Sequence, residues 1–168
     1  MIDLYTWHTP NGRKVSIMLE EIGITYNVFP INIAKDEQFQ PHFLEVSPNN
    51  RIPAIVDKDN NNYSLFESGA ILMYLAEKSG KLINRSNSDE YYRTIEWLMW
   101  QMGGVGPMFG QVHHFVKYNK GKSAYAEERY SKEARRLYGV MDKRLGQHQY
   151  ISGKEYSIAD ISIWPWTA

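Results

Sequence analysis

The chain has 168 residues, 19 Lys+Arg against 19 Asp+Glu, and no cysteine. That length suits one domain or two small ones with a real core, while zero cysteines exclude disulfide staples, thiolate metal centres and a thiol nucleophile of the protein's own. The balanced charge lacks the basic excess of a nucleic-acid binder, and no run approaches the ~18 apolar residues of a membrane span, so neither partner is expected.

Ile2–Trp7 reads as a strand ended by His8-Thr9-Pro10. No basic leader with an apolar run stands at the N-terminus, so no signal peptide is expected and the class is a soluble, intracellular, cytoplasmic protein. Thr9 stands at an N-cap position, with Pro10 at the first helical residue, where a missing N–H costs nothing. Val15, Met18, Leu19 and Ile22 recur at helical spacing, and Gly23 ends the run. Tyr26–Ile33 is a second strand, in which Pro30 marks an edge position or a strand end. Asp36–Val46 is short helical or irregular chain. Ala54–Asp57 and Tyr63–Phe66 form a hairpin across an Asp/Asn-rich turn. Ser68–Ser79 is a helix closed by Gly80.

Lys81–Ser88 is a polar linker, and the texture then becomes helical. Residues 1–80 carry six basic and ten acidic side chains, residues 81–168 thirteen and nine, which reads as a mixed solvated surface. Asp89–Tyr118 is a long helical pattern interrupted by Gly103-Gly104-Val105-Gly106-Pro107. Tyr125–Leu145 is a second helix. Ser157-Ile158-Ala159-Asp160 is a capping box that opens an almost wholly apolar helix ending in Trp164-Pro165-Trp166. A core helix needs neighbours on all sides, so the helical half reads as cut short, with another chain or a C-terminal segment as its cover.

Three places could carry chemistry. Thr9 and Asn11 put neutral hydrogen-bond donors at a helix N-terminus, where an anion or a thiolate is stabilised; with no cysteine, the substrate must bring the thiol. Ile52-Pro53 opens a strand behind two Asn residues, as an ordinary turn or as a deliberate cis bond. Glu67-Ser68 lies where a strand becomes a helix. It reads as a helix cap on spacing alone, or as a site whose serine takes a carboxylate and whose glutamate takes an amine. His113 and His114 are adjacent, about 100° apart on a helix, without the i, i+4 spacing of a metal pair, so no metal is expected. The glycine run does not fit G-x-G-x-x-G, because Phe109 occupies the third position; a kink or close helix approach is expected there.

Asn-Arg-Ile-Pro-Ala-Ile at 50–55, Leu-Phe-Glu-Ser-Gly-Ala-Ile at 65–71 and Tyr-Ser-Ile-Ala-Asp-Ile at 156–161 resemble the glutathione transferases. Thr-Pro-Asn-Gly at 9–12, the segment 97–108 and Gly-Gln-Val-His-His-Phe at 110–115 resemble the bacterial nu-class group, the glutathione-dependent disulfide-bond oxidoreductases. The resemblance spans the whole chain. It implies an α/β thioredoxin-like N-terminal domain (βαβ-ββα) over residues 1–80, a linker over 81–88 and an all-α domain over 89–168 whose last helices are missing. It also implies a homodimer acting on a small disulfide or electrophile, with glutathione or its disulfide as cosubstrate. Thr9 and Asn11 match the positions that face the glutathione sulfur. Gln38 would reach the glycyl end, with Arg51 a weaker candidate. Ile52, before Pro53, would pair its backbone with the cysteinyl part, while Glu67 and Ser68 would hold the γ-glutamyl amine and carboxylate. Arg129 matches a residue that reaches that carboxylate from the second subunit. The alternative is a non-catalytic glutathione-binding or regulatory module on the same fold.

Overall fold

A computed structural model describes residues 1–168. The chain divides into two compact units, Met1–Ile83 and Asn84–Ala168.

The first unit is built on β1 (Ile2–Thr6), α1 (Pro10–Ile22), β2 (Tyr26–Pro30), a short α2 (Pro41–Leu44), β3 (Ala54–Asp57), β4 (Tyr63–Phe66) and α3 (Ser68–Ser79). The sheet order is β2-β1-β3-β4, with β2 parallel to β1 and the other neighbours antiparallel. This is the expected βαβ-ββα arrangement, and Pro30 does lie on an edge strand, where its missing N–H costs no ladder bond. β2 stops three residues earlier than expected because Asn32 turns the chain: its side chain accepts from Ala34 N at 3.0 Å and starts a 3-10 turn. Thr9 Oγ1 caps α1 by accepting from Gly12 N at 3.1 Å. Gly23 closes α1 at φ 74°, a conformation glycine adopts without a Cβ penalty. The apolar face of α1 (Val15, Met18, Leu19) is fully buried, as are Ile71, Leu72 and Leu75 of α3, and the two helices lie against each other.

The second unit is helical: α4 (Ser88–Trp100), α5 (Gly106–Val112), α6 (Ala124–Leu145) and α7 (Ile158–Thr167). The glycine run interrupts the α-helical register and lets a neighbour come close, as expected: a Cβ on Gly104 would meet Leu137 of α6 at 3.6 Å. Gln101–Val105 forms a π-helical turn that runs directly into α5, and His113–Tyr118 forms another after it. Pro107 cannot donate to a carbonyl one turn back, and a register change just before it absorbs that loss. Val105, Phe109, Ala134 and Leu137 pack α5 against α6. The capping box at α7 is complete: Ser157 Oγ accepts from Ala159 N at 3.3 Å, and Asp160 Oδ2 accepts from Ser157 N at 3.0 Å. Asp160 Oδ1 also accepts from Ile151 N at 2.8 Å, which ties the preceding loop to α7. α7 packs on α4, and of its apolar side chains Trp164 is the exposed one, at 62%.

Candidate active site

The topology gathers the expected residues at one end of the sheet. Tyr5 of β1 pairs with Ala54 of β3, and Ala54 pairs with Phe66 of β4. Antiparallel pairing therefore sets the exit of β1, the entry to β3 and the exit of β4 side by side. Those three points carry Thr9 and Asn11, Ile52 and Pro53, and Glu67 and Ser68. The parallel strand β2 ends there as well, Pro30 opposite Thr6, and leads on to Gln38.

At the first point, Thr9 Oγ1 is occupied as an acceptor by the Gly12 amide, so its own O–H remains a donor. Asn11 follows in the first turn of α1 and is half-buried. Gly12 allows this turn to close on β1: a Cβ there would overlap the Trp7 carbonyl oxygen and come within 2.5 Å of Thr6 Oγ1. Tyr5 faces elsewhere. Its ring stacks on Phe29 at 5.0 Å and tilts against Phe43 at 6.2 Å. Burial, and then the Asp3 charge, push its phenol above the ordinary range, which keeps it protonated.

The Ile52–Pro53 peptide is cis. Ser47, wholly buried, donates to the Arg51 carbonyl at 2.8 Å and fixes the approach to β3. The Arg51 side chain is exposed. Gln38 is buried at 7% exposure; its Nε2 lies 3.5 Å from Asp36 Oδ1, and its Oε1 has no hydrogen-bond partner.

Glu67 and Ser68 are not a helix cap. Glu67 occupies the N-cap position at φ 71°, ψ 112°, and its side chain makes no capping bond. It instead accepts from Asn49 Nδ2 at 3.4 Å. Ser68 is already inside the helix and 3% exposed; it accepts from Lys14 Nζ at 3.3 Å. Lys14 was missed in the sequence, although it left a signal there: a charge next to Val15 on the apolar face of α1. It is 1% exposed, and burial outweighs the favourable charge of Glu67, so its ammonium is held down to about 7.

Arg129 belongs to the second unit, on α6. It lines a cavity of about 710 Å³ together with Gly103, Gly104, Tyr125, Lys132 and Arg136. His113 stacks on Trp166 at 6.3 Å, and His114 meets Phe115 edge-on at 4.8 Å. No cluster of three or more His, Asp or Glu is arranged to hold a metal ion.

The family profile of the glutathione S-transferase N-terminal domain matches residues 1–77. The chain is 49% identical to the disulfide-bond oxidoreductase YfcG of Escherichia coli K12, over 99% of its own length and 79% of that protein's. It belongs to the glutathione transferase family. Two solved members resemble it throughout. A glutathione transferase family member from Pseudomonas fluorescens Pf-5, crystallised with two glutathiones bound, superposes with a TM-score of 0.94 at 51% identity, covering 99% of this chain and 75% of that one. A glutathione transferase from Pseudomonas putida, with one glutathione disulfide per subunit, superposes with a TM-score of 0.92 at 48% identity, covering 99% and 74%. The βαβ-ββα unit of this transferase is thus a thioredoxin-like domain, and no helix in the chain is long and apolar enough to cross a membrane.

Proposed function

We propose that this transferase is a glutathione-dependent disulfide-bond reductase in which glutathione supplies all of the attacking sulfur. One observation carries the reading: a chain this similar to a disulfide-bond oxidoreductase contains no cysteine. Thiol–disulfide exchange needs a thiolate, so here it must come from the ligand. Residues 1–80 form the glutathione-binding domain, joined through 81–88 to the helical domain.

The chemistry then runs in two exchanges. A glutathione thiolate attacks one sulfur of the substrate disulfide, forming a mixed disulfide and releasing a thiolate. A second glutathione thiolate attacks the glutathione sulfur of the mixed disulfide, forming glutathione disulfide and releasing the other thiolate. Two glutathiones are oxidised, one disulfide is reduced, and the two glutathione protons end on the two product thiols. The chain contributes proximity and donors aimed at the thiolate. Thr9 is suited to this because its cap bond leaves its O–H to donate, and Asn11 adds an amide in the same turn. Ile52, before Pro53, offers its backbone to the cysteinyl part. Glu67 takes the γ-glutamyl amine and Ser68 its carboxylate. Gln38 meets the glycyl end, where its unpartnered Oε1 suits an N–H, and Arg51 stands by as an exposed cation. The reaction draws on reduced glutathione, which places it in the cytoplasm.

Reduction of a hydroxyalkyl disulfide by glutathione tests the reading, with wild type beside Asn11→Ala. Turnover by wild type that falls sharply in the variant is expected. Glutathione binding with no rate above the uncatalysed exchange would leave a binding module. The same reading makes the enzyme a homodimer in which Arg129 of one copy reaches the γ-glutamyl carboxylate in the other. Arg129→Ala is then expected to weaken glutathione disulfide binding, and unchanged affinity removes the cross-subunit role.

A further inference from the structure

Asn11-Gly12 is the chain's one Asn-Gly pair. In such a pair the glycine backbone nitrogen can attack the asparagine side-chain carbonyl carbon. The new N–C bond closes a succinimide, the glycine proton leaves with the amide as ammonia, and water then opens the ring to aspartate or isoaspartate. Glycine favours the attack because it has no Cβ to obstruct it. A helical backbone opposes it, since ring closure turns the asparagine out of helical ψ. Here the attacking atom is held in an unusual way. Gly12 lies in the first turn of α1, where amides have no carbonyl one turn back within the helix. Its N–H is held instead by a side chain, Thr9 Oγ1, at 3.1 Å. The turn is also pressed onto the end of β1, so close that a Cβ on Gly12 would overlap the Trp7 carbonyl oxygen. The turn must therefore open, and the Thr9 cap must break, before Gly12 N can reach Asn11 Cγ.

We propose that Asn11 is a deamidation site, converted at a rate set by opening of the Thr9 cap and slowed by bound glutathione. The second half rests on the reading that Thr9 and Asn11 face the glutathione sulfur: a ligand that binds the closed turn lowers the open fraction. Conversion disables the site. An aspartate at position 11 sets a carboxylate, which only accepts, against a thiolate that needs a donor. The same carboxylate gives α1 the acidic first-turn residue it lacks, which suits the helix dipole, so the converted protein stays folded. Protein left without glutathione thus ages out of activity, and protein in use is preserved.

The test follows Asn11 by peptide mass mapping at mildly alkaline pH, where conversion reads as an amide turned to an acid. Wild type is compared with Thr9→Val, which loses the cap, and Thr9→Ser, which keeps it. Tyr74→Phe loosens the same unit away from the turn by removing the bond to Asp57. Thr9→Val is expected to convert about fivefold faster than wild type, the usual weight of a lost cap, and the other two at the wild-type rate. Equal rates in wild type and Thr9→Val overturn the gate. Equal acceleration by Tyr74→Phe does so too, because unfolding of the whole unit would then expose Asn11. An Asn11 that stays intact in the folded proteins while the urea-unfolded chain converts overturns the site itself. Saturating glutathione is expected to slow wild type, and bound glutathione that leaves the rate unchanged overturns the protection. No glutathione binding by calorimetry overturns the glutathione reading, while the comparison at Thr9 still decides the site. Asn11→Asp is expected to lose more of the glutathione-dependent rate than Asn11→Ala, and a rate at or above that of the alanine variant overturns the loss of function.

Discussion

Tyr74 donates a 2.6 Å hydrogen bond to Asp57 Oδ2, joining the middle of α3 to the end of β3. Asp57 is wholly buried, and it also accepts from Lys78 Nζ at 2.7 Å and from the Asp59 amide at 3.0 Å. These bonds anchor, from the far end, the helix that Glu67 precedes and Ser68 opens.

Burial pushes the Asp57 carboxyl up, but the bonds from Lys78, Tyr74 and the Asp59 amide, with the Lys78 charge, outweigh it and hold it below the ordinary range. The folded chain therefore resists protonation more than the unfolded one. The resulting stability is complete above the unfolded aspartate value and is lost as pH falls through the folded one. Asp57→Asn is expected to cost about 1–3 kcal/mol at neutral pH and to flatten the acid limb. Denaturant unfolding between pH 6 and pH 2 reads both, and an unchanged acid limb would mean that other carboxylates set it.

Lys14 has the opposite consequence. Its folded value of about 7 lies below that of an unfolded lysine. Between the two the unfolded chain holds the proton and the folded chain has released it, so wild-type stability rises with pH across this window. Lys14→Met removes the buried charge. It is expected to be more stable than wild type near pH 6.5, with the gap closing by about 1 kcal/mol per pH unit above 7. Paired urea curves at pH 6.5, 7.5 and 8.5 measure the gap, and a constant gap would show that the lysine does not titrate there.

Gly12→Ala is expected to destabilise the first unit by about 1–3 kcal/mol, the usual cost of overpacking. The atoms it would meet, the Trp7 carbonyl oxygen and Thr6 Oγ1, belong to or flank a sheet strand and do not swing away. The same shift would displace the amide that Thr9 caps, so glutathione affinity should fall with stability. A variant as stable as wild type would mean that the turn relaxes freely.

Thr9 serves two ends, and two substitutions separate them. Thr9→Ser keeps the cap and the O–H, and is expected to retain stability and turnover. Thr9→Val loses both: about 1 kcal/mol from the cap, and about tenfold or more in the glutathione-dependent rate if its O–H stabilises the thiolate. A Val variant destabilised but fully active would restrict Thr9 to capping.

Local chemistry made much of the fold legible. The Thr9 cap, the Gly23 stop, the hairpin between β3 and β4 and the Ser157–Asp160 box all depend on residues within a few positions of one another, and they form where expected. Where local reasoning went wrong, a distant group intervened. Spacing at Glu67-Ser68 favoured a cap, but Lys14 claims Ser68 and Asn49 meets Glu67.

By itself the sequence determined what sulfur chemistry is open to this protein: with no cysteine, any thiol must arrive with a ligand. It also determined its family, through short motifs whose residue types and spacing survive without coordinates. Only the tertiary structure decided that a lysine from the first helix lies under the serine that opens α3. Such a pairing depends on how two helices pack across a sheet, and neither segment carries a local preference that announces it.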